Sequence, residues 1–486
     1  MGTPSVYLLV GDCLRAANTT ERTMPFSTEA ADVTAMRCYS PGTWTLSSHA
    51  SLYDVSDRIA HGQTTLADRL RSDQARLPER ARANGYTISL FSENPTFGPA
   101  RGFHNGVDYC DSEINYKIFP SGFSPAEVTE EQSFAAARPI AREWLRRPQR
   151  LRNAVNLAYG FLEASREPAP DEYPHNGDRV VDHLLSYLTD RSGPQLSFVN
   201  LLDPHNPHHS MPPPEGADPL GLDVSPEESA ALASVSSKDV MLTDRGPPPA
   251  VAREFDTWEA AYERQEEIYE GQIRYTDWLI ERFADAVPER FADALVVVTG
   301  DHGHLFYEEG SVGHHSSLHP GGIHVPLFVS VPKGWDDSGR VIDRPVSLVD
   351  LARSVSKVVE GDIRDTDAFV EELAGSDEVI VVANGPMWDV DQLYEEYESE
   401  AVDELAAKRV GVFRDETMVE YERPWQRETV TRTEYVYEDR TRTIRSGPTE
   451  IDRIEDDRID RWIRENESEH ERVAVSSRLQ HLGYLE

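Results

Sequence analysis

Lysine is nearly absent from this chain. Among 486 residues it occurs only at Lys117, Lys238, Lys333, Lys357 and Lys408, so arginine supplies almost all of the positive charge. The net charge is -38 at pH 7, and the acids are spread along the whole length rather than gathered in one tail. Such a surface repels a phosphate backbone, which excludes nucleic acid as a partner. It suits a cytoplasm with molar salt, where the screening length falls to about 3 Å. A halophilic archaeal source is the expectation. Cysteine is scarce as well: Cys13, Cys38 and Cys110 form neither a disulfide framework nor a CxxC pair. Long apolar runs are missing. Val6 to Val10 is too short for a signal peptide and lacks a basic segment before it. No later run is long enough to span a bilayer. These absences place the protein in the cytoplasm, without a membrane span. There is no internal repeat and no low-complexity tract.

Hydrophobic residues make up 39% and charged residues 28%, a balance that folds, and the length suffices for one large core plus a smaller domain. Short apolar runs alternate with amphipathic stretches. Strands are expected at Val6–Val10, Thr87–Phe91, Leu196–Leu202, Leu295–Thr299 and Leu327–Val331. Helices are expected at Thr65–Asn84, Asp178–Asp190, Trp258–Ala286 and Ser347–Val359. Strands separated by helices imply an α/β fold with a mostly parallel sheet covered on both faces. Ligands bind such sheets beyond the carboxyl ends of the strands. Asp12, Asp203 and Asp301 each follow a strand closely, so all three fall at that edge. His208 to Pro249, rich in Pro, Gly, Ser and acid, reads as an excursion over the site rather than a core element. The composition shifts after Gly375, which divides the chain into residues 1–375 and a smaller α+β region, 376–486. In the latter, Glu428 to Arg445 alternates in strand fashion and Ile451 to Glu469 reads as a charged helix.

Five segments carry chemistry. Gly11-Asp12-Cys13-Leu14-Arg15 puts a carboxylate at a strand end, where it can hold a hard cation or simply cap a helix. Thr43-Trp44-Thr45-Leu46-Ser47-Ser48-His49 packs hydroxyls at a helix start, whose N–H groups favour anions. Val298-Thr299-Gly300-Asp301-His302-Gly303-His304 runs an apolar strand into adjacent Asp and His, which suits metal ligation, with glycines allowing a tight turn. Asn200 to His209 and Gly313 to His319 cluster six further histidines. Of these His208, His209 and, further on, His324 read as exposed and idle.

Together these segments resemble the sulfatase family of the alkaline-phosphatase-like superfamily. Trp44-Thr45-Leu46-Ser47-Ser48-His49-Ala50-Ser51-Leu52-Tyr53, then His61-Gly62, is similar to the family's Trp-Thr-x-Pro-Ser-His-Ala-Ser-Leu-Phe, then His-Gly. Gly85-Tyr86, Val346 to Leu351 and the terminal His481-Leu482-Gly483-Tyr484-Leu485 resemble further family elements. The resemblance implies an alkaline-phosphatase-like catalytic domain over residues 1–375. It also implies a metal-dependent hydrolase of sulfate or phosphate esters. Asp12, Thr45, Asp301 and His302 would hold one divalent ion, with Ca²⁺, Mn²⁺, Zn²⁺ and Mg²⁺ all admissible. Thr45 would be the nucleophile. His49, which stands at the family's arginine position, His205 and His315 are the other catalytic candidates. Asn94 and His314 would bind substrate. A second metal at Asp203, His205 and His315 ranks below a single one. The chain departs from the family at the nucleophile, because Thr45 cannot be converted to formylglycine. Cys13 replaces a second acid, and Val55 and Arg58 replace Gly and Pro. The substrate implied is a small-molecule, glycan or lipid-headgroup ester. Transfer of the group to a sugar or lipid and a non-catalytic binding role are the alternatives.

Overall fold

The computed structural model describes residues 3–56, 76–94, 97, 102–112, 146, 150–164, 176–208, 224–233, 237–243, 246–314, 316–384, 390–425, 427–438 and 441–464. A central sheet of eight strands organises the chain. In chain order they are β1 (Ser5–Gly11), β2 (Val33–Ala35), β3 (Thr87–Phe91), β4 (Tyr109–Asp111), β5 (Gln195–Leu201), β6 (Ala294–Gly300), β7 (Leu327–Ser330) and β8 (Arg340–Ile342). Their spatial order is β8-β2-β7-β6-β1-β5-β3-β4. β1 lies parallel to both β5 and β6, and β3 continues the parallel set, whereas β7 runs antiparallel to β6.

The central strands are apolar on both faces because both faces are covered. Along β1 the side chains alternate. Val6 and Leu8 belong to a core shared with Leu46, Ala50 and Tyr53 of helix α1 (Thr45–Asp54) and with Leu351 and Val355 of α5 (Leu348–Glu360). Leu77 and Ala81 of α2 (Leu77–Ala83) pack into the same layer. Tyr7 and Leu9 belong to the opposite core, with Val180 and Leu184 of α3 (Gly177–Thr189) and Ile273 and Phe283 of α4 (Trp258–Ala286). Local chemistry sets the helix ends. Thr257 caps α4 by accepting from Ala260 N, and Ser347 and Asp350 form a capping box at α5.

A second sheet of five antiparallel strands follows: β9 (Val379–Asn384), β10 (Lys408–Arg414), β11 (Thr417–Arg423), β12 (Val430–Glu438) and β13 (Thr441–Ile451). Val379, Val381, Ala383, Phe413 and Met418 of this sheet share a core with Tyr39, Leu318 and Ile323. Tyr437 of β12 bonds Leu318 O, and Arg442 of β13 pairs with Glu309 and Glu420. The antiparallel sheet is thus fastened to the segment that carries His314.

Three expectations need correction. The charged helix starts at Asp457 and is described to Arg464, because Ile451 is still the last residue of β13. Within His208 to Pro249, residues Pro226–Ala233 and Ser237–Leu242 are helical, and Ala231, Leu232, Val240 and Leu242 are buried core residues. His208 and His324 are buried, not exposed. His324 Nε2 lies 3.0 Å from Met36 O, and its ring is 5.3 Å from that of Tyr39. His61, Gly62, His209, His315 and the terminal His481 to Leu485 lie outside the described residues. No described helix is long and apolar enough to cross a membrane.

Candidate active site

The carboxyl ends of β1, β3, β5 and β6 converge. Asp12 follows β1, and its N–H donates to Leu201 O at 2.8 Å, which ties it to β5. Asp301 and His302 follow β6. Thr45 is the first residue of α1, whose ten residues are all buried. Its Oγ1 donates to Asp12 Oδ1 at 3.2 Å and lies 3.2 Å from His302 Nε2. His302 Nε2 is in turn 3.6 Å from Asp12 Oδ1 and 3.5 Å from Asp301 Oδ2. Asp12, Thr45, Asp301 and His302 therefore form one buried cluster.

Two glycines make this convergence fit. A Cβ at Gly300 would stand 2.3 Å from Leu14 O, and one at Gly303 would stand 2.0 Å from Gly321 O. Neither glycine has a positive φ. The sequence suggests a tight turn here, whereas the structural reason is close approach of neighbouring backbone.

The remaining candidates surround the cluster. His49 Nδ1 lies 3.0 Å from Thr45 O and 3.5 Å from Asp301 Oδ2. Asn94 Nδ2 donates to Asp12 Oδ2 at 3.1 Å, so in this structure it serves the carboxylate. Asn200 donates to the same oxygen at 3.3 Å, and its own Oδ1 accepts from Ser92 Oγ at 2.8 Å. His314 packs its ring 4.7 Å from that of His302 and 5.2 Å from that of His205. Asn200, Cys13 and His304 were not among the candidate site residues. Cys13 Sγ lies 3.8 Å from His302 Nδ1 and 3.9 Å from His314 Nδ1. The sequence signals for Cys13 and His304 are their places beside Asp12, where Cys13 replaces a second acid, and within Asp301-His302-Gly303-His304; Asn200 opens the histidine-bearing segment that runs to His209, but it sits inside a strand.

Burial dominates the electrostatics. It drives the His302 and His49 imidazoles down to about 4, so both are neutral near pH 7. It lowers His205 likewise. Asp301 is raised well above the carboxylate range, first by burial and then by the charge of Asp12. Burial pushes Asp12 upward too, but attraction to His205, His302 and His49 in their protonated forms at low pH, with the hydrogen bond from Asn200, outweighs it and holds Asp12 below its ordinary value. The Cys13 thiol is pushed well up by burial and by Asp12 and Asp301. Two buried carboxyl groups thus compete for one negative charge, with only neutral imidazoles as company. Asp301 Oδ2 has no hydrogen-bond partner among the described residues. A divalent cation fits this donor set, since it would let both carboxylates ionise. Ligand atoms of Asp12, Cys13 and His302 lie within 4.8 Å of one another, as do those of Cys13, His304 and His314.

The family model described as Sulfatase matches residues 6–361. The fold is shared with a phosphonate monoester hydrolase from Silicibacter pomeroyi, at 16% identity and a TM-score of 0.57 over 90% of each chain. It is shared with the phosphonate monoester hydrolase of Agrobacterium radiobacter, at 16% identity and a TM-score of 0.57 over 89% of each chain. It is also shared with a 2-O GAG sulfatase, at 12% identity and a TM-score of 0.56 over 90% of this chain and 85% of that one. No curated protein matches the chain by sequence.

Proposed function

The chain belongs to the Sulfatase family and is an ester hydrolase, and we propose that it cleaves sulfate or phosphate esters with Thr45 as nucleophile and one divalent metal ion as cofactor. The observation that carries this reading is the position of Thr45 Oγ1. It sits at a helix start, 3.2 Å from both Asp12 Oδ1 and His302 Nε2. A capping residue would instead turn its hydroxyl to the helix N–H groups, and the residue before the helix, Trp44, makes no side-chain cap.

Asp12, Asp301, His302 and Thr45 would hold the ion. Enzymes of this family are metal-dependent; when bound, the ion supplies polarisation of a non-bridging ester oxygen and a lower pKa for the attacking hydroxyl. Thr45 presents its O–H to Asp12, which takes the proton as Oγ1 attacks sulfur or phosphorus in line with the leaving oxygen. His302 keeps its Nε2 toward Thr45 because its Nδ1–H donates to Gly303 O at 2.8 Å. His49 donates its Nδ1–H to Thr45 O and so anchors the first turn of α1 beside Asp301. Asn94 and Asn200 fix the second oxygen of Asp12. The rings of His205 and His314 lie 5.2 Å apart, and a protonated imidazole of this pair would supply the proton that the leaving oxygen must gain. Water then cleaves the Thr45 ester. The fold neighbours are named for phosphonate monoesters and for a GAG sulfate. The substrate panel should therefore span nitrophenyl sulfates, phosphate monoesters, phosphate diesters and phosphonates.

The test is turnover by Thr45→Ala and Thr45→Ser, with mass spectrometry of wild-type enzyme quenched during turnover. Thr45→Ala should lose nearly all activity while keeping most metal affinity. Thr45→Ser should retain substantial activity, since only a methyl group is lost. A phosphoryl or sulfo adduct should map to Thr45. An adduct on Ser47 or Ser48, or wild-type turnover by Thr45→Ala, would overturn the assignment.

A further inference from the structure

We infer that Cys13, His304 and His314 form a second metal site, suited to a thiophilic divalent cation of the zinc class, beside the cluster of Asp12, Asp301 and His302. One sulfur and one ring nitrogen from each histidine lie within 4.8 Å of one another, and all three residues are buried. Cys13 Sγ is 3.9 Å from His314 Nδ1. In a tetrahedral site with metal–sulfur bonds of about 2.3 Å and metal–nitrogen bonds of about 2.0 Å, the sulfur–nitrogen edge is roughly 3.5 Å. The Cys13–His314 edge therefore needs to close by only a few tenths of an ångström, and the edges to His304 start within 4.8 Å.

The hydrogen bonds around His304 support ligation. Gln272 Oε1 takes the Nδ1–H of His208 at 2.7 Å. His208 Nε2 is then an acceptor, 3.4 Å from His304 Nε2, which must supply the proton. That leaves a lone pair on His304 Nδ1, a buried atom with no hydrogen-bond partner among the described residues. An imidazole whose far nitrogen is anchored by an outer acceptor is the usual arrangement of a metal ligand. His302 cannot complete this trio through Nδ1, because that nitrogen donates to Gly303 O. The two donor sets also differ in kind. Carboxylate oxygens dominate around Asp12 and Asp301, whereas the trio offers a thiol and two imidazoles with no carboxylate, which selects softer cations. Binding forms the metal–sulfur bond as the Cys13 thiol proton is released to solvent. The inference rests on this donor set and does not require that Thr45 act as nucleophile.

The experiment is a Co²⁺ titration of the full chain after chelator treatment, followed by near-ultraviolet absorption. A thiolate–cobalt charge-transfer band should grow in the wild type and be absent in Cys13→Ser. Asp301→Asn should retain the band while binding one equivalent less metal. His304→Gln, checked for native circular dichroism, should weaken growth of the band at least about tenfold. A wild type that saturates without the band, a band that survives in Cys13→Ser, or a band equally strong and tight in His304→Gln would each overturn the second site. The adduct on Thr45 is scored separately, so either reading can fail alone.

Discussion

Replacing Gly303 by alanine would put a methyl group where the loop after β6 has no room. The new Cβ would lie 2.0 Å from Gly321 O, 2.9 Å from Gly321 C and 3.2 Å from Arg15 Cγ. Backbone, not a flexible side-chain tip, is the obstacle. It is also tied down: Gly303 N donates to Gly322 O and Gly322 N donates to His319 O, both at 2.9 Å. On the other side Arg15 is buried and paired with Glu308 at 2.6 Å. Overpacking a tight interior costs about 1–3 kcal/mol. Breaking one buried backbone bond to make space adds roughly 1 kcal/mol. The expected loss is therefore about 2–4 kcal/mol in urea unfolding, reaching the upper end of single-substitution effects. A second consequence follows from the Gly303 carbonyl, which holds the Nδ1–H of His302. Rotating that peptide frees the ring, and loss of such an outer bond lowers metal affinity about 10- to 100-fold. Gly447→Ala is the control, since a Cβ there meets nothing within 4 Å. If Gly303→Ala matched Gly447→Ala in both unfolding free energy and metal affinity, the close-approach argument would be wrong.

Two further outcomes are expected. Val55 ends α1 at φ 55° and ψ 36°, left-handed geometry for which a β-branched residue is ill suited. Relief of that strain in Val55→Gly, partly offset by lost packing, should stabilise the protein by about 1 kcal/mol in urea; a destabilised variant would show that packing wins. Glu309 is pushed up by burial, but its hydrogen bond and attraction to Arg442 outweigh this and hold it below 4.5. A folded value below the unfolded one means that the pair contributes stability above pH 4.5, and that this is lost as the pH falls through the folded value. The melting-temperature gap between wild type and Glu309→Gln should therefore close on acidification. A gap independent of pH would remove Glu309 from the stability of the sheet contact.

Much of the fold was legible because the central strands are continuous apolar runs. Thr87–Phe91 and the helix Trp258–Ala286 have the bounds expected, the latter because Thr257 and Pro288 bracket it chemically. The short elements were not legible. β2, β4 and β8 have three residues each, too few to show a period, and they extend the sheet only because neighbouring strands supply partners. The two helices within His208 to Pro249 were masked by proline-rich flanks, although Ala231, Leu232, Val240 and Leu242 supply apolar surface. At the site, strand ends followed by Asp and His pointed to the residues around Thr45. Asn200 was hidden because a strand residue gives no sign of whether its side chain reaches a neighbouring loop.

Direction is harder to read than identity, and the histidines show why. His49, His205 and His302 each set their Nδ1 against a main-chain carbonyl, of Thr45, Asn206 and Gly303. These partners are near in sequence, yet any residue type supplies a carbonyl, so no pattern of letters announces them. The consequence is chemical. A carbonyl can only accept, so each Nδ1 carries the proton and each Nε2 carries the lone pair. For His302 that lone pair faces Thr45, Asp12 and Asp301. Had the Gly303 carbonyl pointed elsewhere, the same ring could turn its N–H toward the carboxylates and neutralise part of their demand for a cation. Backbone geometry at one glycine thus decides whether an Asp-His pair is a hydrogen-bonded couple or a pair of donors able to hold metal.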